Sequence, residues 1–148
     1  MIKFEKRNIM GLIYADIMLI NAVDEVLAKR SIIGEDEVKK LTVNMLVDTG
    51  AYIMGITETI KEQLDLQFID KRKLVLGDGS IKEFDVVGPI TVKFKNRIAC
   101  CNAVILADSD ESILGAIPLE ELDVVIHPQR QELIVNPDHP YGAQLSMK

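Results

Sequence analysis

"LVDTGA", Leu46 to Ala51, ends an apolar run in a carboxylate followed at once by a hydroxyl, a glycine and an alanine. Asp-Thr-Gly makes a serviceable surface turn, and a fixed tripeptide recurs by chance in roughly a few per cent of chains this long. The same string also suits chemistry. Asp48, at the end of an apolar strand, is placed to act as general base on water. Thr49 offers a hydroxyl that can bond neighbouring backbone and hold the turn. Gly50 lets another backbone come very close, and Ala51 is small for the same reason. One carboxylate is a poor engine for amide hydrolysis. Two carboxylates sharing a proton divide the work, because the ionised one draws a proton from water and the protonated one donates to the carbonyl oxygen. The string occurs once. A second acid therefore requires a twofold axis that brings two copies of Asp48 together, and such isologous pairing is the commonest oligomer symmetry.

The rest of the chain reads mostly as strand. Leu12 to Asn21 is rich in β-formers, and Lys40 to Asp48 alternates Leu41, Val43, Met45 and Val47 with Thr42, Asn44 and Leu46. Between them the polar, acidic stretch around Gly34 to Glu37 predicts a surface loop or an extended hairpin. "TETIKEQLDL" is the clearest helix, with Thr59 and Glu62 at capping-box spacing and Ile60 and Leu64 on one face. Two hairpins follow, turning at Gly77-Asp78-Gly79 and at Lys95-Asn96-Arg97. Pro118 is expected to open a short helix through Leu119 to Leu122, and two last strands flank His127-Pro128-Gln129-Arg130. Residues 136–148 read as an irregular arm, of the kind that frays unless docked. Without a Gly/Ser linker, residues 1–148 are expected to form one mainly-β domain, residues 1–39 adding a strand and an acidic loop.

Bulk properties narrow the function classes. The 148 residues suffice for one core, which Ile, Val, Leu and Met must build, because Trp is absent and aromatics are 5%. A formal net charge of −6 with dispersed Lys and Arg argues against nucleic acid, which demands a concentrated basic footprint. Cys100 and Cys101 are adjacent, too close for ordinary disulfide geometry and pointing to opposite faces of a strand. Reduced thiols in the cytoplasm are the expectation. His127 and His139 lie far from them, so no metal site is expected. "DSDES", Asp108 to Ser112, lacks the glycine and terminal glutamate of a calcium loop and reads as a solvated connection. Asp16 interrupts the best apolar stretch, Ile9 to Ala22, and the charged start (Lys3, Glu5, Lys6, Arg7) leads to no cleavage site. Neither export nor membrane anchoring is expected.

Three strings in order then resemble a family. "MLVDTGA" is similar to the catalytic strand and loop of the retropepsin-like aspartic proteases, in particular the cellular and bacterial single-lobe relatives of the retroviral enzymes. "LVLGDGSIKEF" stands where those proteins carry the flap, and "SILGAIPLEEL" resembles their two-apolars-then-glycine motif followed by a helix. The resemblance runs from about Leu41 to Val135. It implies a single-lobe, closed, barrel-like β domain with one or two short helices. It also implies a homodimer acting on a peptide or protein substrate without cofactor. Asp48, Thr49 and Gly50 would form the catalytic loop. Ala51, Gly77, Asp78 and Gly79 would contact substrate, and Ile113, Leu114 and Gly115 would support the loop. Viral members place an acidic residue just after the alanine and an arginine just after the glycine, where this chain has Tyr52 and Ala116. That departure bears on the substrate rim and the dimer contacts. The alternative is an inactive, dimeric peptide-binding or assembly module.

Overall fold

The computed structural model describes residues 11–147. The charged start, Lys3 to Arg7, and the first residues of the Ile9–Ala22 stretch lie outside them. Chain order is β1 (Tyr14–Asn21), α1 (Ala22–Lys29), a 3-10 turn (Glu35–Glu37), β2 (Lys40–Val47), β3 (Met54–Thr57), α2 (Glu58–Gln63), β4 (Gln67–Val75), β5 (Ile81–Phe94), β6 (Arg97–Leu106), β7 (Ile113–Leu114), α3 (Ala116–Leu122), β8 (Val124–His127) and β9 (Glu132–Val135). The large sheet has the order β1-β2-β7-β3-β6-β5-β4, and β1 also pairs with β5. Hydrogen bonding thus returns to its start through β5, leaving β4 outside the ring. The links through the two-residue β7 are short, so the closure is barrel-like and not a clean barrel.

Alternation in β2 behaves as the sequence predicts: Val43, Met45 and Val47 are buried while Thr42 and Asn44 are exposed. Leu46 is 1% exposed although it belongs to the outer set, at the point where β2 takes β7 as its neighbour in the sheet. The main core gathers Ile17, Leu19, Met45, Met54, Ile56 and Leu114, each contributing about 1.5–3 kcal/mol on burial. A second, smaller cluster of Val86, Val104, Leu106 and Ile113 packs with Ala51, Ile53, Leu74 and Phe84. This second cluster positions the site.

Among the described residues there are three short helices, where one or two were expected. The extra one is α1, in a stretch read as loop or hairpin. None of its residues is fully buried, although Ala22, Val23, Val26 and Leu27 recur at helical spacing. Its start is built by Asn21, whose side chain accepts from the Asp24 N–H at 3.1 Å and donates to Leu64 O at 2.9 Å. That second bond ties the cap to the end of α2, a partner 43 residues away. Helix α2 is capped by Thr57, whose hydroxyl accepts from the Ile60 N–H, and not by Thr59. Helix α3 begins at Ala116, two residues before Pro118.

The C-terminal arm has no regular structure but is docked. Asp123, in a left-handed conformation after α3, accepts from the side chain of Asn136 at 3.0 Å and the backbone of Gln144 at 3.0 Å, and contacts His139 Nδ1 at 2.7 Å. Fully buried Arg97 donates to His139 O at 2.6 Å. The Gln144 N–H, followed by Asn136 and His139, holds the Asp123 carboxyl down from 3.8 to about 2. A depressed carboxyl stabilises the fold above its unfolded value and loses that contribution as pH falls through its folded value. The melting temperature is therefore expected to fall between about pH 4 and pH 2 more steeply in the native protein than in Asp123→Asn. Parallel slopes in the two proteins would refute this role.

Candidate active site

Asp48 leaves β2 anchored on both flanks. Its own N–H donates to Leu114 O at 3.0 Å, and the Val47 N–H donates to Ile13 O at 2.8 Å. The turn that follows is closed by the aspartate itself. The Gly50 N–H donates to Asp48 Oδ1 at 2.8 Å, and the Ala51 N–H donates to Asp48 O at 3.2 Å. The side chain is buried, 2% exposed. A covered carboxylate needs donors of this kind, because burial without hydrogen bonds is costly. Thr49 is exposed, and the bonds that close the turn come from Asp48 and the backbone instead of the Thr49 hydroxyl.

The "ILG" string lies against this loop. Ile113 and Leu114 pair in parallel with Leu46 and Val47. After Gly115, the Ala116 N–H donates to Ala51 O at 2.7 Å and the Ile117 N–H to Tyr52 O at 2.9 Å. Gly115 makes the approach feasible: a Cβ there would stand 2.3 Å from Ile53 O and 2.8 Å from Ala51 O. Tyr52 and Ala116 are thus held on neighbouring rungs, Tyr52 by Ile117 and Ala116 by Ala51. Tyr52 and Ile117 expose large apolar side chains beside the loop.

Gly77, Asp78 and Gly79 form the tip of the β4–β5 hairpin. The Leu76 N–H donates to Ser80 O and the Gly79 N–H to Leu76 O, closing a three-residue loop in which Gly79 has φ +87°. A left-handed residue at that place is what such a loop requires. Asp78 Oδ1 accepts from the Ser80 hydroxyl at 2.6 Å and the Ser80 N–H at 2.9 Å, which together hold its carboxyl below the usual range.

Between the hairpin and the Asp48 loop lies a cleft of about 720 Å³. Of the residues singled out in the sequence, Gly50, Ala51, Gly77 and Ile113 line it, whereas Asp48, Thr49, Asp78, Gly79, Leu114 and Gly115 do not. Ile53, Gly55, Leu74, Leu76, Phe84 and Leu106 also line it, and sequence reasoning passed over them. Alternation could have marked Leu74, Leu76 and Phe84 as one face of a hairpin. Nothing local marks Gly55, whose role is to admit Leu106: a Cβ would sit 2.8 Å from its Cδ1.

Among the described residues no three His, Cys, Asp or Glu side chains are grouped to hold a metal ion. Cys100 and Cys101 are free on β6, and burial pushes the Cys101 thiol up to about 12. No helix among the described residues is long and apolar enough to cross a membrane.

A strand-end Asp-Thr-Gly loop is thus braced by the Ile-Leu-Gly string and faced by a hairpin. A family profile described as aspartyl protease matches residues 34–117, more than half of the chain. The chain belongs to the aspartyl protease family. No curated protein matches it. Among solved structures it is similar to the EIAV protease complexed with the inhibitor HBY-793, at 22% identity and TM-score 0.49, covering 82% of this chain and 93% of that one. It is similar to the retroviral protease-like domain of Ddi1 from Leishmania major, at 15% identity and TM-score 0.47, covering 66% and 81%. A retropepsin-like aspartic protease from Rickettsia conorii aligns at 19% identity and TM-score 0.42, covering 78% and 74%. At such scores the family assignment rests on the profile match.

Proposed function

We propose that this chain is an aspartic endopeptidase of retropepsin-like organisation, acting as a homodimer on extended peptides. Two Asp48 carboxylates, one from each protomer, activate the water that attacks the scissile carbonyl, one as base and the other as acid. Thr49 and Gly50 complete the catalytic loop, and Ile113, Leu114 and Gly115 brace it from behind. The β4–β5 hairpin serves as a flap. Gly77, Asp78 and Gly79 at its tip, with Ala51 below, hold the substrate backbone in strand-like pairing, and the apolar cleft receives side chains. Residues 1–148 act as one domain without cofactor, in a reducing compartment such as the cytoplasm, where Cys100 and Cys101 stay free.

The observation that carries this reading is Asp48 held by the Gly50 N–H in a loop whose next residues line the cleft beneath the hairpin. The test is a mixed library of unfolded peptides incubated with the protein across pH, beside Asp48→Asn. Cleavage confined to the native protein supports the reading, and products from both proteins reject it. Because each chain supplies one acid, specific activity is expected to fall on dilution through the dimer dissociation range, followed by sedimentation in parallel. A concentration-independent rate would point to a self-sufficient monomer.

A second reading keeps the cleft and drops the chemistry: a dimeric module that binds peptides without cutting them. The near-complete cover of Asp48 within one chain favours it. It predicts stable peptide complexes and no products in the same experiment.

A further inference from the structure

The hairpin that bounds the cleft sorts its charges by face. In β4 and β5 the directly opposed pairs are Lys71 with Asp85, Arg72 with Phe84, Lys73 with Glu83, and Leu74 with Lys82. Opposed residues share a face and alternate residues along a strand share it too. Arg72, Leu74, Lys82 and Phe84 therefore occupy one face, and Lys71, Lys73, Glu83 and Asp85 the other. Leu74 and Phe84 line the cleft, which identifies the first face as the inner one.

The outer face is balanced. Its two lysines oppose two acids, and Lys71 Nζ is 2.9 Å from Asp85 Oδ1. The inner face is not. Arg72 and Lys82 are exposed, and neither has a carboxylate within ion-pair distance among the described residues. Lys82 instead lies over the Phe84 ring, 5.2 Å from its centroid. That contact holds an ammonium beside a side chain that walls the cleft. Lys73 and Val75, although on the outer face, also reach the cleft lip, and Arg72 and Lys82 stand beside the lining residues without lining the cleft themselves. Asp70 is the one acid of β4 in step with Arg72, and it stands at the far end from the tip, opposite Val86.

On the proposed reading of this site as a peptide-cleaving one, we infer that Arg72 and Lys82 select substrates in which acidic residues flank a large apolar one. The apolar side chain enters the pocket floored by Leu106 and Ile113. The flanking carboxylates meet the guanidinium and the ammonium on the inner hairpin face. Each solvent-exposed pair of this kind is modest, so two together favour the acidic peptide by about threefold to tenfold.

The test separates recognition from chemistry. Three labelled peptides share one central leucine, flanked by Glu, Gln or Lys, and bind to Asp48→Asn protein by fluorescence anisotropy. The expected order is Glu tightest and Lys weakest, with the spread shrinking as salt rises. The double variant Arg72→Glu with Lys82→Glu is expected to reverse the order, and Arg72→Lys with Lys82→Arg to restore it. Thermal melts of each variant check that it is folded. Equal binding of the Glu and Gln peptides, no binding of any, or an unchanged order after charge reversal would each overturn the inference. Cleavage by the native protein is read separately. A Glu peptide that binds by this rule yet stays intact at every pH defeats the protease reading while the selectivity stands. Equal cutting of Glu and Gln peptides defeats the selectivity alone.

Discussion

Asp48→Asn is expected to lower peptide cleavage by at least about 10²–10⁴-fold, the range typical of losing a positioned acid or base, without unfolding the protein. The substitution is close to isosteric. Asparagine keeps a carbonyl oxygen at the place of Oδ1, so the 2.8 Å bond from the Gly50 N–H survives. The backbone bonds from Asp48 N to Leu114 O and from Ala51 N to Asp48 O do not involve the side chain at all. What is lost is the ability to exchange a proton, and in the proposed homodimer it is lost from both halves at once. Mass spectrometry of the peptide products reads the activity, and sedimentation reads whether the proposed dimer forms. A variant that cuts within a few-fold of the native rate would place the chemistry elsewhere.

Gly115→Ala is expected to cost about 3 kcal/mol, the upper end of the range for forcing extra volume into a packed site. The added methyl would meet Ile53 O at 2.3 Å, with Ala51 O and Ile53 N each at 2.8 Å. All three are backbone atoms, which cannot swing aside as a side chain does. Relief requires the 51–53 segment to move, and with it the 2.7 Å bond from Ala116 N to Ala51 O. That segment lines the cleft, so activity should fall together with stability. The backbone at Gly115 is extended, φ −91°, so the penalty comes from close approach and not from conformation. Gly142→Ala is the control, because nothing lies within 4 Å of its Cβ position. It should stay within about 0.5 kcal/mol of the native protein. Urea titrations of both variants decide the matter. A near-neutral Gly115→Ala would mean that the α3 approach to the loop is looser than described.

Much of the site was legible because its elements are local. Alternation along Lys40 to Val47 placed Asp48 at a strand end, and Gly-Asp-Gly between apolar runs placed a hairpin tip. Both signals span fewer than about ten residues and depend only on side-chain periodicity and turn chemistry. The misreadings also have local causes. Helix α1 is eight residues long and buries none of them, so its short stripe of Val23, Val26 and Leu27 stands out little from its acidic neighbours, and the Asn21 cap is held by Leu64, far along the chain. At α2, Thr57 and Thr59 both offer capping hydroxyls, and only the path of β3 into the helix selects Thr57. The role expected of the Thr49 hydroxyl in holding the turn falls to Asp48, whose side chain reaches the Gly50 N–H first.

The one-dimensional pattern was enough to establish a mainly-β chain with a strand-end Asp-Thr-Gly loop, a glycine-tipped hairpin and an Ile-Leu-Gly string, in that order. Tertiary structure alone decided that Leu46 and Val47 lie beside Ile113 and Leu114. It decided that β1 closes the sheet onto β5, and that Ile53, Leu74, Phe84 and Leu106 converge on one cleft. It also decided which face of the hairpin carries unbalanced cations. Periodicity is a property of neighbours in the chain, whereas pairing across about 67 residues depends on which distant apolar surfaces bury one another best, and nothing within a short window records that choice.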